Sequence, residues 1–276
     1  MEKLRSQGIP LGQYVQGRFY YGIKTGFNEA FVIDEATREK LIAEDPTSTE
    51  LIKPWLRGRD IRKWKAEWAG LYLINIASSA NRQWVWSDAK TEGEALRLFE
   101  QTYPAIHRHV SRWKKQLKER DDQGKFWWEL RSCAYYNDFE QPKIIYPDIA
   151  KLMRACYDKT GTFCANTLYI LPTYDLSIIG LIHSKLFDWY CRYKFQALGD
   201  PWKGGRLRFI AEFMGEFPIP PSTKAQKAPI IEHVQKIIAD PDSPDVSCLE
   251  DEINNLVYKL YDLTPEDVEI LESSQR

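Results

Sequence analysis

The chain lacks the patterns that mark several large classes of protein. Its five cysteines, Cys133, Cys156, Cys164, Cys191 and Cys248, are scattered, with no Cys-x-x-Cys pair and no leader-like stretch ahead of them. That argues against a disulfide framework or a zinc site and suits a reducing, cytoplasmic setting. The longest apolar stretch, Leu176 to Tyr190, is interrupted by His183, Lys185 and Asp188, so a membrane span is not expected. No glycine-rich phosphate loop, His-Glu-x-x-His or Gly-x-Ser-x-Gly motif occurs. His107 and His109 occupy alternate helical positions, which do not share a face. Asp60 with Asp88-Ala89-Lys90 only faintly resembles a nuclease metal site. Neither a catalytic centre nor a metal or cofactor site is therefore expected in this chain.

What is present is a chain of 276 residues, 43% apolar, large enough to bury a real core without covalent staples. Its net charge of −1 hides a division. Residues 1 to 239 hold 36 Lys and Arg against 28 Asp and Glu, whereas residues 240 to 276 hold 2 against 11. A basic body can attract phosphate, because neutralising phosphates releases condensed counterions.

The cations cluster. In "YYGIKTGFNEAFVI" (Tyr20 to Ile33), two apolar runs flank Lys24, Thr25 and Asn28, and Gly26 supplies the positive φ of a turn. This reads as a strand hairpin, or as a loop offering polar groups to an anionic partner. In "KPWLRGRDIRKWK" (Lys53 to Lys65), six cations interleave with Trp55 and Trp64, as a phosphate-tracking, base-stacking surface would require. After Pro104, Ile106, Val110, Trp113 and Leu117 form one buried helical stripe, with Arg108, Arg112, Lys114, Lys115, Lys118 and Arg120 on the other faces. This reads as a core helix with a charged outer side.

Farther on, Gln141 to Leu171 reads as strands around an Asp158-Lys159-Thr160-Gly161 turn, with Asp148, Lys151 and Arg154 just past a strand end. Helical periodicity follows from Leu176 to Phe195, then a loop with Lys203 and Arg206. Pro218, Pro220 and Pro221 mark a boundary. Ser222 is placed to cap a helix whose apolar face is Ile230, Ile231, Val234, Ile237 and Ile238, and a second helix is expected over Ser247 to Tyr261. The fold class is α+β: a mixed, β-rich body with inserted helices (1–221), followed by a C-terminal helical hairpin (222–276).

Taken in order, "YYGIKTGFNEAFVI", "LIKPWLRGRDIRKW", "FWWELRSCAYYNDFEQPKIIYPDI" and "LIHSKLFDWY" resemble the TaqI-like C-terminal specificity domain. This is the target-recognition part of adenine-specific DNA methyltransferases and of fused, type IIG restriction-modification enzymes. The resemblance covers nearly the whole chain, and "FPIPPSTKAQKAPIIEHV" also resembles the segment after a recognition domain in type I specificity subunits. It implies double-stranded DNA as partner, and a catalytic methyltransferase half that binds S-adenosylmethionine, either in cis or as a separate subunit. The catalytic Asn-Pro-Pro-Tyr-type motif is not here, since Pro220-Pro221 lies between Ile219 and Ser222.

On this resemblance, Lys24, Thr25 and Asn28 meet DNA from the opening loop. Arg57, Arg59 and Arg62 take phosphates, unless Asp60 pairs with one of them in a structural buckle. Lys151 and Arg154 read bases, with Arg82, Lys203 and Arg206 behind them. The alternative is a protein-interaction or adaptor subunit of a modification or defence complex, with DNA contact secondary.

Overall fold

Alternation along two strands divides the molecule. The computed structural model describes Leu4 and residues 8–274. Strands Lys143–Pro147 and Leu168–Pro172 pair antiparallel, Ile145 opposite Ile170, so successive side chains leave opposite faces. Ile145, Leu168 and Ile170 enter one apolar core. Ile144, Tyr146, Tyr169 and Leu171 enter another. With both faces covered, these strands carry continuous apolar runs instead of an in–out pattern. Tyr20–Tyr21 and Cys156–Asp158 complete the sheet at its two edges.

The first core lies against a second sheet, ordered Val32–Asp34, Leu71–Ile74, Ile52–Leu56 and Phe163–Cys164, the last strand pairing parallel. Helices Glu35–Glu44, Glu92–Thr102, Pro104–Ser111 and Lys114–Glu119 pack on it. Ile106, Val110 and Leu117 are fully buried, as the stripe requires. The helix expected to run through them is broken between Ser111 and Lys114, leaving Trp113 half-buried.

Two further expectations need correction here. Tyr20 to Ile33 is a crossover between sheets, not a hairpin. Tyr20–Tyr21 joins the first sheet, Val32–Asp34 joins the second, and a short helix, Asn28–Phe31, buries Ala30 and Phe31 between them. Gly26 does hold the left-handed turn, at φ +70°. Arg120, expected on a charged outer face, is buried beside the Phe31 ring, and its guanidinium donates to the carbonyls of Thr25, Trp127 and Glu129.

The second core contains helices Ser177–Ile182 and Lys185–Lys194, separated where Ser184 caps the latter by accepting from the Phe187 amide. It also takes in the C-terminal helices Lys224–Ala239, Val246–Leu260 and Pro265–Ser273. The expected hairpin is the first two of these, and the third extends it. Its cap is Thr223, one residue past Ser222, in a reciprocal capping box with Gln226. Ile230, Val234, Ile237, Ile253 and Val257 share one cluster with Ile178, Ile179 and Leu181, so body and tail bury apolar surface together. Gly180 permits their approach, because a Cβ there would stand 2.8 Å from Ile230 Cγ2.

The central sheet carries a buried charge at one edge. Lys143, with its side chain fully buried, places Nζ 2.5 Å from Asp158 Oδ2 and donates to the Phe139 carbonyl. Asp158 also accepts from the amides of Thr160 and Thr162. Burial pushes the Asp158 carboxyl up from 3.8, but Lys143 and the Thr160 hydrogen bonds outweigh it and hold it below that value.

Removing the ammonium strands a buried carboxylate, so Lys143→Met is expected to cost about 3–5 kcal/mol in urea unfolding. A carboxyl depressed in the folded state stabilises above its unfolded value, and that contribution is lost as pH falls through the folded one. The loss in the parent chain therefore falls below about pH 4; in Lys143→Met the stranded carboxyl takes up a proton more readily in the folded state, so the stability gap between the two should narrow as pH falls. An unchanged urea midpoint would show that the pair contributes nothing.

Candidate nucleic-acid interface

Several loops leave the two sheets at one common end. The turn Ala165–Asn166–Thr167 lies at its centre. Its Ala165 amide donates to the carbonyl of Leu56, the last residue of Ile52–Leu56. Its Thr167 carbonyl accepts from the Asp148 amide, just past Lys143–Pro147. On the other side, the Ile23 amide donates to the Cys164 carbonyl, which brings the Lys24 loop to the same turn. The segments 22–26, 57–62, 148–154 and 165–167 therefore share one rim, each held through the backbone.

The structure shows which side chains are free on that rim. Lys24 is half-exposed and pairs with Asp122 at 3.0 Å, and Arg131 pairs with the other oxygen of Asp122 at 3.2 Å. Thr25, by contrast, is buried, and its hydroxyl donates to Asn28 Oδ1 at 2.6 Å. It therefore holds the loop, while the exposed Asn28 keeps its amide nitrogen for a partner.

Arg57 forms the buckle. Its backbone N–H and Nε both donate to Asp60 Oδ2, at 2.8 and 3.0 Å, and Nη2 donates to Oδ1 at 2.8 Å. Burial pushes the Asp60 carboxyl up, but these bonds outweigh it and hold it below its usual value. Arg62 donates to the Arg59 carbonyl at 2.6 Å and pairs with Glu67 at 2.7 Å. Arg59 is exposed. The loop thus fixes Arg57 and Arg62 and presents Arg59.

Trp55 and Trp64, expected as stacking platforms, are buried. Trp64 adopts a left-handed backbone, φ +71°, held by an amide bond to the Ala155 carbonyl and an indole bond to Glu250. Lys63 and Lys65, beside it, pair with Glu250 and Asp242 of the acidic tail, at 2.7 and 2.5 Å. An exposed aromatic at the Lys24 side of the rim is instead Tyr21, which packs on Tyr169 and, with Tyr135 and Tyr136, walls a cleft of about 380 Å³ reaching Lys24, Arg131 and Asn166.

On the far side, Arg154 donates to the Gly58 carbonyl at 3.4 Å, and its Nε is buried without a partner. Burial, then the nearby Arg62, draws its pKa below the usual arginine value. Lys151 is exposed beside Gly204. That places it against the loop carrying Lys203, which is 84% exposed and loosely paired with Asp200, and Arg206, also exposed. Asp148 lies 3.9 Å from Arg208. Arg82 does not join this group. It lies over the Trp84 ring and pairs with Glu50, which precedes the strand whose other end delivers Arg57.

Sequence reasoning missed Arg131, Asn166, Thr167 and Arg208. Asn166 and Thr167 had a signal, a polar pair between two apolar strands. Arg208 had one too, two residues from Arg206 on a strand.

Comparison with known proteins gives the family and the fold. A family model described as the TaqI-like C-terminal specificity domain matches residues 53–219, more than half of the chain. The type II methyltransferase M.BanIII of Aneurinibacillus aneurinilyticus is 20% identical over 246 residues, covering 85% of this chain and 40% of that protein. A structure of the type IIL restriction-modification enzyme MmeI in complex with DNA has the same fold over 93% of this chain, with a TM-score of 0.64 and 13% identity. This chain spans 35% of that one.

The buckle makes neighbouring arginines unequal. Arg57→Ala leaves Asp60 buried and unpaired and should cost about 3 kcal/mol in denaturant unfolding. Arg59→Ala should stay within about 0.5 kcal/mol of the parent. Equal losses would contradict this division.

Proposed function

Because the chain belongs to the TaqI-like C-terminal specificity domain family, we propose that it is the DNA target-recognition part of an adenine-N6 methyltransferase or fused type IIG restriction-modification enzyme. The observation that carries this reading is the shared rim, where the loops of Lys24 and Arg59 meet at Asn166 and Thr167, Arg131 lines the same cleft as Lys24, and Lys151 stands beside the loop of Lys203.

A rim of this kind suits a duplex. Cations on separate loops meet separate phosphates and set orientation, while side chains between them reach base edges. Backbone hydrogen bonds fix the loops, so little ordering entropy opposes binding. Arg57, Arg62, Arg154 and Thr25 serve it indirectly, by holding the backbone that presents the others. The chemistry belongs to a catalytic half in cis or in a separate subunit, and S-adenosylmethionine belongs there too. The Tyr-walled cleft does not suit that cofactor: Lys24 and Arg131 both face it, and a sulfonium is itself a cation. No helix among the described residues is long and apolar enough to cross a membrane.

Duplex affinity measured across a salt series tests the reading. Affinity should fall steeply with salt, and Arg59→Ala and Lys151→Ala should each reduce the slope of log K against log salt by about 0.9. Binding that ignores salt, or no duplex binding at all, would exclude it.

A further inference from the structure

One surface beside the rim is not explained by phosphate contact. Ala197–Leu198, Arg206–Arg208 and Ile149–Ala150 form a three-stranded antiparallel sheet, with Arg206 in the centre strand. Its register sets Leu198 opposite Arg206 and Ile149 opposite Arg208, while Leu207 lies between Ala197 and Ala150. Leu207 and Ala150 are buried in the second core. By alternation, Arg206, Arg208, Ile149 and Leu198 all stand on the opposite, outward face. There, Ile149 is 37% and Leu198 48% exposed, each beside an arginine.

We infer that this outward sheet face reads base pairs in the major groove, Arg206 and Arg208 each taking a guanine and Ile149 contacting a thymine methyl. The inference rests on the DNA-recognition reading and adds which residues choose the sequence.

Three observations support the assignment. Arginine bonding guanine O6 and N7, and an apolar side chain against the thymine methyl, are the usual major-groove contacts, and strands and sheets are among the elements that read that groove. The spacing also agrees: residues two apart on a strand are about 6.6 Å apart, close to two steps of about 3.4 Å along a DNA strand. Finally, Arg208 is oriented without being saturated. Its Nη2 lies 3.9 Å from Asp148 Oδ2, and its Nε, like Asp148 Oδ1, is buried without a partner. Lys151 and Lys203 flank the face as phosphate ligands would. Lys151 and Arg154, expected as base readers, take other places: Lys151 on the flank, Arg154 beneath the Gly58 loop.

The test is selection from a pool of duplexes with a randomised central segment, using the 276-residue chain and its Arg206→Ala, Arg208→Ala and Arg208→Lys variants. The parent should select a site with two G·C positions about two steps apart. Each alanine variant should lose preference at one of them by roughly ten-fold or more. Arg208→Lys keeps the charge but not the planar fork. It should fold through the same Asp148 contact and still lose the Arg208 position, which keeps the test valid if Arg208→Ala is poorly folded. Uniform weakening on every duplex, or full recovery of selection by Arg208→Lys, would overturn the inference while leaving DNA recognition intact. Unchanged selection in all variants would overturn it too, and would leave the face to a protein partner. If the parent chain binds no duplex, this inference falls together with the reading it rests on.

Discussion

Burial on both sides of the Lys143–Pro147 and Leu168–Pro172 pair is the constraint on which the rest of the structure depends. In a sheet with one buried face, in–out polarity fixes the register; here both faces are apolar, and the fit of differently shaped side chains into each core has to fix it. This one is packed between two cores, and a slip of one residue would exchange Ile145 and Ile170 with Ile144, Tyr146, Tyr169 and Leu171. Register is therefore fixed at the sheet's ends as well as its middle. Asp148 and Thr167 stand where these strands end, and Leu56 delivers Arg57 from the neighbouring sheet. Tyr146 and Tyr169 stack within the second core, with ring centroids 5.5 Å apart, and Tyr21 lies over Tyr169, so the rim begins where the packed aromatic layer reaches solvent.

The acidic tail gains a physical meaning from the same packing. Three of its carboxylates are matched to particular lysines, Glu250 to Lys63, Asp242 to Lys65 and Glu272 to Lys185, while its apolar side enters the second core. These pairs are partly exposed, so each adds at most about 1 kcal/mol. Their larger effect is on distribution, because they remove cations from one stretch and leave Arg59, Lys151 and Arg206 exposed on another. Trp64 joins the two. A left-handed tryptophan costs about 1–3 kcal/mol, and the bonds to Ala155 and Glu250, with edge-on packing against His183 at 4.1 Å, hold it in place. Chain direction after Arg62 is thus set by contact with Ala155, His183 and the Val246–Leu260 helix.

Local signals were legible in the sequence and long-range ones were not. The turns at Gly26 and Gly161 have the positive φ that glycine implies, and the stripes of Ile106, Val110 and Leu117 and of Ile230, Val234 and Ile237 are buried as their spacing requires. Segments that pair at a distance were misread. Tyr20–Tyr21 and Val32–Asp34 each have the composition of a strand, but nothing in either says that their partners lie in different sheets. Trp55 and Trp64 look the same between cations whether they are exposed or buried. Their burial depends on Phe163–Cys164 and His183, more than a hundred residues away. Helical periodicity puts Arg120 on a solvent face only if the helix continues through it. It ends at Glu119, and the following residue turns inward.

That inward turn leads to the network that fixes the Lys24 side of the rim. Arg120 and Glu129 are both buried, yet their charged groups bond to neutral partners and not to each other. The Arg120 guanidinium donates to carbonyls of Thr25, Trp127 and Glu129, and burial lowers its pKa to about 10. The Glu129 carboxylate accepts from the Ser79 and Lys125 amides and the Trp86 indole, at 3.0, 2.8 and 2.9 Å. A direct ion pair would join two points of the chain. Two charges bonded to neutral groups tie Thr25, Ser79, Trp86, Lys125 and Trp127 to Arg120 and Glu129 as well, and an unsatisfied partner in such a site is costly, so the network tolerates few alternative arrangements. Lys24 follows Ile23 and precedes Thr25, and Arg131 lies two residues past Glu129. The distance between these cations, and the way they share Asp122, is therefore set by buried polar groups beneath them.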